Sequence, residues 1–389
     1  MPLQPIHLGR RAFICKASSC MLLGLCSTNA LSQSKNSLYW AGTAKQGKDF
    51  LLIIVDSKGQ VLRKIKLPSR GHGVQVSVQG QIIVCGRRPG SWMLLLQHKD
   101  APPQWIRAAA NRPLSGHCCF SADGDHFYSA ENALEVSQGA IGVWDSHSGE
   151  RRSEWPSQGI GPHEILLSSD GMHLWVANGG ILTHPNRGRE KLNLDTMESN
   201  ISYFRLNDGV LMEQYAISEP QLSLRHICVN KNNQVAVACQ YEGPNYHRKP
   251  LLLFINDRQI DYLPCNSKVI LQLNNYLGSV TFDISGRWVA ASSPRGSRVV
   301  IWHVAKGTDA IHSHTLAMSD ACGLSAHSEA GGFVISTGTG RLYLYAALTK
   351  VLSVMGSANS ATEHLSWDNH LANTIIPHTR NKLGLNRLL

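Results

Sequence analysis

Gly161-Pro162-His163-Glu164-Ile165-Leu166-Leu167-Ser168-Ser169-Asp170-Gly171-Met172-His173-Leu174-Trp175-Val176-Ala177-Asn178 decides the fold of this chain. Glu164 to Leu167 is one short apolar run, Ser169-Asp170-Gly171 is a turn, and His173 to Asn178 is a second run. Short apolar and β-branched runs bounded by Asp, Ser and Gly are hairpin signals. The pattern returns as CCFSADGDHFYSAEN from Cys118 and as VTFDISGRWVAASS from Val280. A third apolar run ending in a turn follows in AIGVWDSHSGE, NISYFRLNDGV, SRVVIWHVAKG and GRLYLYAALTK. A more polar fourth run closes each unit, so the unit is a four-stranded antiparallel sheet.

Every unit opens at the same place. The openings are RGHGVQV at His72, SGHCCFS at His117, GPHEILL at His163, LRHICVN at His226, LGSVTFD at Ser279, ACGLSAH at Gly323 and TEHLSWD at His364. A repeat of this length marks a solenoid or propeller, and radial four-stranded sheets leave only short, protected edges. The spacing therefore predicts an all-β, seven-bladed β-propeller. The unit at His364 supplies one strand through LSWDNHLAN, and SLYWAGTAKQGKDFLLIIVDSKGQVLRKIKL near the N-terminus supplies the rest. A blade shared by both termini closes the ring and removes the open edges on which sheets aggregate.

Residues 1–30 stand apart from the repeat. Arg10-Arg11-Ala12-Phe13, the apolar Met21-Leu22-Leu23-Gly24-Leu25 and the small residues up to Ala30 describe a secretory signal, and the paired arginines match the twin-arginine export pattern. Two other outcomes stand beside cleavage near Ala30: a retained anchor, or lipidation at Cys26, against which the bulky Leu25 argues. The expected organisation is a signal peptide over 1–30 and one propeller domain over 31–389, periplasmic and soluble, with no membrane span. Removing residues 1–30 takes Arg10, Arg11 and Lys16 and no acid, so the formal charge of +10 falls to +7. The remaining basic residues are scattered, without a basic, aromatic-interleaved stripe, and this excludes nucleic acid as a partner. Seven cysteines remain, an odd number that sits mostly in apolar runs. They are expected as buried thiols, with a strained vicinal disulfide at Cys118-Cys119 as the other reading.

Five of the seven openings carry histidine, and in a closed ring these side chains face one axis. Imidazole suits copper, zinc, iron and nickel, so His72, His117, His163, His226 and His364 form a candidate metal site, with Glu164 orienting an imidazole or lending an oxygen. The competing reading is structural, each imidazole bonding the neighbouring blade. A ring wide enough for seven strands also weighs against direct coordination, because Zn–N and Cu–N bonds are only ~2 Å long. The longest unit contains an insertion, Gly179 to Leu194, in which His184, Arg187, Arg189, Lys191 and Asn193 form a candidate site for a carboxylate or phosphate. A solvated brace on the rim is the other reading of this insertion. A second enlarged loop, Tyr241 to Lys249, should rise on the same side. His312 and His314 share a strand face, and Trp144 and Trp302 are expected as packing residues. No nucleophile elbow, phosphate loop or zinc-protease helix is present, and no residue is singled out as catalytic.

The twin-arginine leader, the GPHE unit, the insertion ending in HPNRGREKLNLDTM, and RHICVN together resemble the exported bacterial family called domain of unknown function 1513, over essentially the whole chain. The resemblance implies a seven-bladed propeller in the periplasm, in a setting of iron handling beside imelysin-type lipoproteins and di-haem oxidoreductases, with no established activity. A weaker similarity is to the propeller domain of nitrous oxide reductase, whose copper cluster is held by central histidines. Ser279 and Gly323 depart from that pattern. The expected function is a monomeric, non-enzymatic periplasmic binding protein that takes a transition metal, copper or iron, or a metal-bearing partner among periplasmic metal-handling or redox proteins. The alternatives are a propeller oxidoreductase with a redox centre on the axis and a protein–protein scaffold.

Overall fold

The computed structural model describes residues 38–304, 313–356, 362 and 364–374. The signal segment 1–30, with Cys15, Cys20 and Cys26, and His312 lie outside the described residues.

The stretch that opens the sequence argument folds as expected. Pro162–Leu167 pairs antiparallel with His173–Asn178, with Ile165 opposite Val176 and Leu167 opposite Leu174. In the turn between them, Ser168 Oγ donates to Asp170 Oδ1 at 2.5 Å and accepts from His173 N at 3.0 Å. Gly171 supplies the positive φ of 72° that the turn requires. The same device recurs at Ser121, Asp123 and His126.

The outcome is an all-β propeller. Five four-stranded antiparallel sheets stand apart, beginning with the strands Gly71–Val76, Leu114–Phe120, Pro162–Leu167, Leu222–Val229 and Ser279–Phe282. The other eight strands form one sheet rather than two separate blades, so the expected seven independent sheets are corrected to five and one. In that sheet Ala321–Ala326 lies parallel to Ser366–Asn373 at a single bridge, Leu324 to His370. Gly323 explains the seam: a Cβ there would lie 2.9 Å from the His370 carbonyl carbon, so only glycine lets the two backbones meet. As the sequence predicts, Ser366–Asn373 also pairs with Tyr39–Gln46 near the N-terminus, with Ala41 opposite Ala372 and Gly42 opposite Leu371.

The core lies between blades. Trp175, Leu224, Val237, Phe254, Phe282 and Trp302 belong to one buried cluster that runs across three successive sheets. Trp144 and Trp302 sit buried in third strands, as packing residues. All the described cysteines are free thiols, Cys118 and Cys119 included. Cys118 Sγ lies 3.4 Å from Met93 Sδ, and Cys119 Sγ lies 3.4 Å from the Phe120 carbonyl. One short helix, Ser267–Gln272, interrupts the strands, capped by the Asn266 side chain, which accepts from Lys268 N at 2.8 Å. Among the described residues no helix is long and apolar enough to cross a membrane.

Candidate metal centre

Irregular backbone aims the column inward. The pairing of each inner strand slips at or beside its histidine: between Gly71 and Val74, Leu114 and Cys118, Pro162 and Glu164, and Leu224 and His226. A β-bulge bends its strand and re-aims a side chain. Of the two openings without a histidine, the strand at Ser279 pairs without a slip, and the strand at Gly323 slips between Ala321 and Leu324. Glycines make room for the rings. A Cβ on Gly73 would fall 2.9 Å from His117 Nδ1, and one on Gly116 would fall 2.8 Å from His72 Cδ2.

The fifth ring is His370. His364, expected in the column, stands exposed on the turn before the strand, and the slip opposite Gly42 and Ala44 spans the stretch that carries His370. The ring centroid of His370 lies 4.6 Å from each of His72, His117 and His226, and His163 lies 4.7 Å from His226. Ring width is thus no obstacle to convergence. The five side chains, with Glu164 and Asp368, are only 2–8% exposed.

Two carboxylates hold three of the rings by one nitrogen. Asp368 Oδ1 lies 3.1 Å from His72 Nδ1, while Asp368 Oδ2 accepts from Arg70 at 2.6 Å. Glu164 Oε2 lies 3.3 Å from His226 Nδ1 and accepts from Ile227 N at 2.8 Å, and its Oε1 lies 3.4 Å from His117 Nδ1. Since the carboxylates accept, each of these Nδ1 atoms carries the proton, and the lone pair is left on Nε2. Burial pushes the His72 imidazole down to about 3 against the pull of Asp368, and burial likewise lowers His163, His226 and His370. Burial alone would raise Glu164, but the imidazoles of His117 and His226 outweigh it and hold the carboxylate ionised. Burial thus favours the neutral form of His72, His163, His226 and His370 beside the carboxylates of Glu164 and Asp368.

Three imidazole nitrogens of this group are buried with no hydrogen-bond partner among the described residues: His117 Nε2, His163 Nδ1 and His370 Nε2. An unsatisfied buried polar atom costs about 1–3 kcal/mol. One ligand atom each from His117, Glu164, His226 and His370 lie within 4.8 Å of one another, as do those of His72, His117 and His163. Two nitrogens on one ion can be at most ~4.2 Å apart, and side-chain shifts of ~0.3 Å close the difference. A channel cavity of ≈ 290 Å³ adjoins the group, lined by His226, His370, Glu164, Val280, Phe282 and Leu371 among others.

The insertion lies on the other side of the group and divides into two parts. His184 caps a short 3-10 turn by accepting from Asn186 N, Arg187 pairs with Glu190, and Asn193 braces the loop through Leu182 N and Gly180 O. Lys191 pairs with Glu242 of the second enlarged loop, and Glu242 pairs with Arg225 at 3.0 Å. Arg189 stands close enough to Arg87, Arg88 and Arg225 to depress all three, after burial. Away from the axis, His314 Nε2 lies 2.6 Å from the Tyr345 hydroxyl. Sequence reasoning missed His370, Asp368, Arg70, Arg87, Arg88 and Arg225. Arg70 and Arg225 had a signal, since each stands immediately before the Gly-His or His of its unit.

Comparison with known proteins agrees with this architecture. A family model described as a protein of unknown function, DUF1513, matches residues 65–374. No curated protein matches the sequence. Among solved structures, hydrazine synthase of Kuenenia stuttgartiensis is similar with a TM-score of 0.56 at 15% identity, over 82% of this chain and 95% of that one. A functionally unknown protein from Desulfotomaculum acetoxidans is similar with a TM-score of 0.55 at 12% identity, over 86% and 100%. The β-propeller domain of Cps50 (Swd1) from Myceliophteria thermophila reaches 0.56 at 12% identity, over 79% and 96%. At these identities the similarity extends to the propeller fold alone.

Proposed function

The chain belongs to the DUF1513 family, and we propose that it is a metal-binding propeller that takes a first-row transition ion, copper or iron, at its axis. The ligands are the imidazoles of His72, His117, His163, His226 and His370. The observation that carries this reading is the set of buried, partnerless nitrogens on His117, His163 and His370. Neutral imidazole is the ligating form, and two adjacent carboxylates offset the charge of a divalent ion. Glu164 has both oxygens engaged by Ile227 N, His226 and His117, which makes it the group that orients ligands rather than a ligand itself. The ligand atoms form two overlapping groups, His117, Glu164, His226 and His370 in one and His72, His117 and His163 in the other, so His117 stands where the two meet.

The wider setting follows the sequence. On this reading the leader directs the chain to the periplasm, and the eight-stranded sheet stands for two blades joined at the bridge of Leu324 to His370. Elemental analysis of untagged, full-length protein after exposure to copper, iron and zinc salts tests the centre. A stoichiometric ion is expected in the parent, and its loss in the His163→Ala, His226→Ala double variant. Absence of a stoichiometric ion in folded parent protein overturns the proposal.

A further inference from the structure

A second set of charges lies beside the imidazoles, and of these only Arg70 meets a carboxylate that also holds a ring, Asp368 beside His72. Arg70, Arg87, Arg88, Arg189 and Arg225 come from four separate segments: the start of one blade, the loop after its second strand, the long insertion, and the strand that carries His226. Backbone bonds fix the first loop, with Arg87 N donating to Arg70 O at 2.9 Å and Gly90 N to Leu114 O at 2.9 Å. The ion pair of Lys191 with Glu242 draws the insertion toward Arg225. Two carboxylates answer these charges in ion pairs among the described residues: Asp368, shared with His72, and Glu242, shared between Arg225 and Lys191.

That leaves the guanidiniums of Arg87, Arg88 and Arg189 without an ion pair among the described residues. Arg225 is 1% exposed, and its Nε is buried with no partner. A buried guanidinium with an open donor, in a group of surplus positive charge, is costly unless an anion completes it. Burial, then Arg225 and Arg189, push Arg88 down to about 9, with Glu242 pulling the other way.

We propose that this arginine group binds a small polycarboxylate, its carboxylate groups shared among Arg87, Arg88, Arg189 and Arg225. Forks on separate segments suit several carboxylates spread over one molecule, each met by a planar pair of N–H donors. A single compact phosphate would use one such cluster. The site is built from residues other than the imidazoles and stands whether or not a metal is held below it.

Calorimetric titration of citrate into full-length protein, stripped of metal with phenanthroline and exchanged into buffer, tests this. Binding is expected, with Kd weakened at least tenfold in Arg189→Ala and in Arg87→Gln. Arg189 is exposed, so its variant keeps the fold. Arg107→Ala, on an exposed outer strand, controls for net charge and is expected to bind as the parent does. No citrate binding, equal weakening in Arg107→Ala, or tighter binding of inorganic phosphate than of citrate at the same arginines overturns the proposal. Because the protein is metal-free, failure here leaves the metal centre standing, and failure of the metal centre leaves this site standing.

Discussion

Replacing Glu164 by glutamine keeps the shape of the side chain and changes its chemistry at three bonds. Oε2 accepts from Ile227 N at 2.8 Å and faces His226 Nδ1 at 3.3 Å, so the amide oxygen must take that place. The amide NH2 then faces His117 Nδ1, which the native Oε1 meets at 3.4 Å. Two donors cannot oppose each other, so His117 moves its proton to Nε2, the nitrogen that is buried without a partner and is proposed as a ligand. A hydrogen bond to a charged group contributes about 1.5–3 kcal/mol against about 0.5–1.5 for a neutral pair, so three bonds losing their charge should destabilise the metal-free fold by about 3–4 kcal/mol. Loss of an orienting partner typically weakens metal binding about 10–100-fold. Urea unfolding of metal-free protein and chelator competition of loaded protein measure the two effects separately. A folded Glu164→Gln variant with parental metal affinity would falsify the assignment of Glu164 as the group that sets the tautomers of His117 and His226.

Three further outcomes are expected. Burial holds His72, His163, His226 and His370 neutral in the fold, whereas in the unfolded chain they take up protons below about pH 6.5. Stability of the metal-free protein is therefore full above that pH and falls as pH drops through it, by up to about 1.4 kcal/mol per unit for each ring, His72 continuing toward its value of about 3. Urea midpoints that stay flat between about pH 7.5 and 5.5 would count against neutral imidazoles. His370→Ala should lose metal while His364→Ala keeps it, and elemental analysis showing the reverse would return the seventh position to His364. Gly116→Ala meets a φ of +111° and a His72 carbon 2.8 Å from the new Cβ, so it should cost more than about 2 kcal/mol. Gly47→Ala, at φ +57° with nothing within 4 Å, should cost about 1 kcal/mol. Equal unfolding midpoints for the two variants would sink the steric account.

What was legible in the sequence was whatever local chemistry writes. The Ser-x-Asp-Gly turns and the apolar runs on either side place the hairpins, because the turn's side-chain bonds are made within five residues. The column at His72, His117, His163 and His226 is legible because apolar residues follow each within two positions. The seventh unit offers two such frames, His364-Leu365-Ser366-Trp367 and His370-Leu371-Ala372-Asn373, and nothing local separates them. The separation comes from the slip against Gly42 and Ala44, a strand at the far end of the chain. Fusion of two sheets at Leu324 and His370 has the same origin, since Gly323 matters only when its partner backbone is present.

A structural and a metal-binding column are compatible in the same physical terms. Each imidazole has two nitrogens, and the sequence-based alternatives treated the residue as one group. In His72, His117 and His226 the Nδ1 atom performs the structural task, reaching a carboxylate of a neighbouring blade. That bond fixes the tautomer and leaves a lone pair on Nε2, the atom a metal would take under the proposed function. Bracing the ring and presenting a lone pair are then two consequences of a single hydrogen bond. A histidine-to-glutamine change that kept the brace through its amide NH2 would still remove the lone pair, and the two roles would separate by nitrogen rather than by residue.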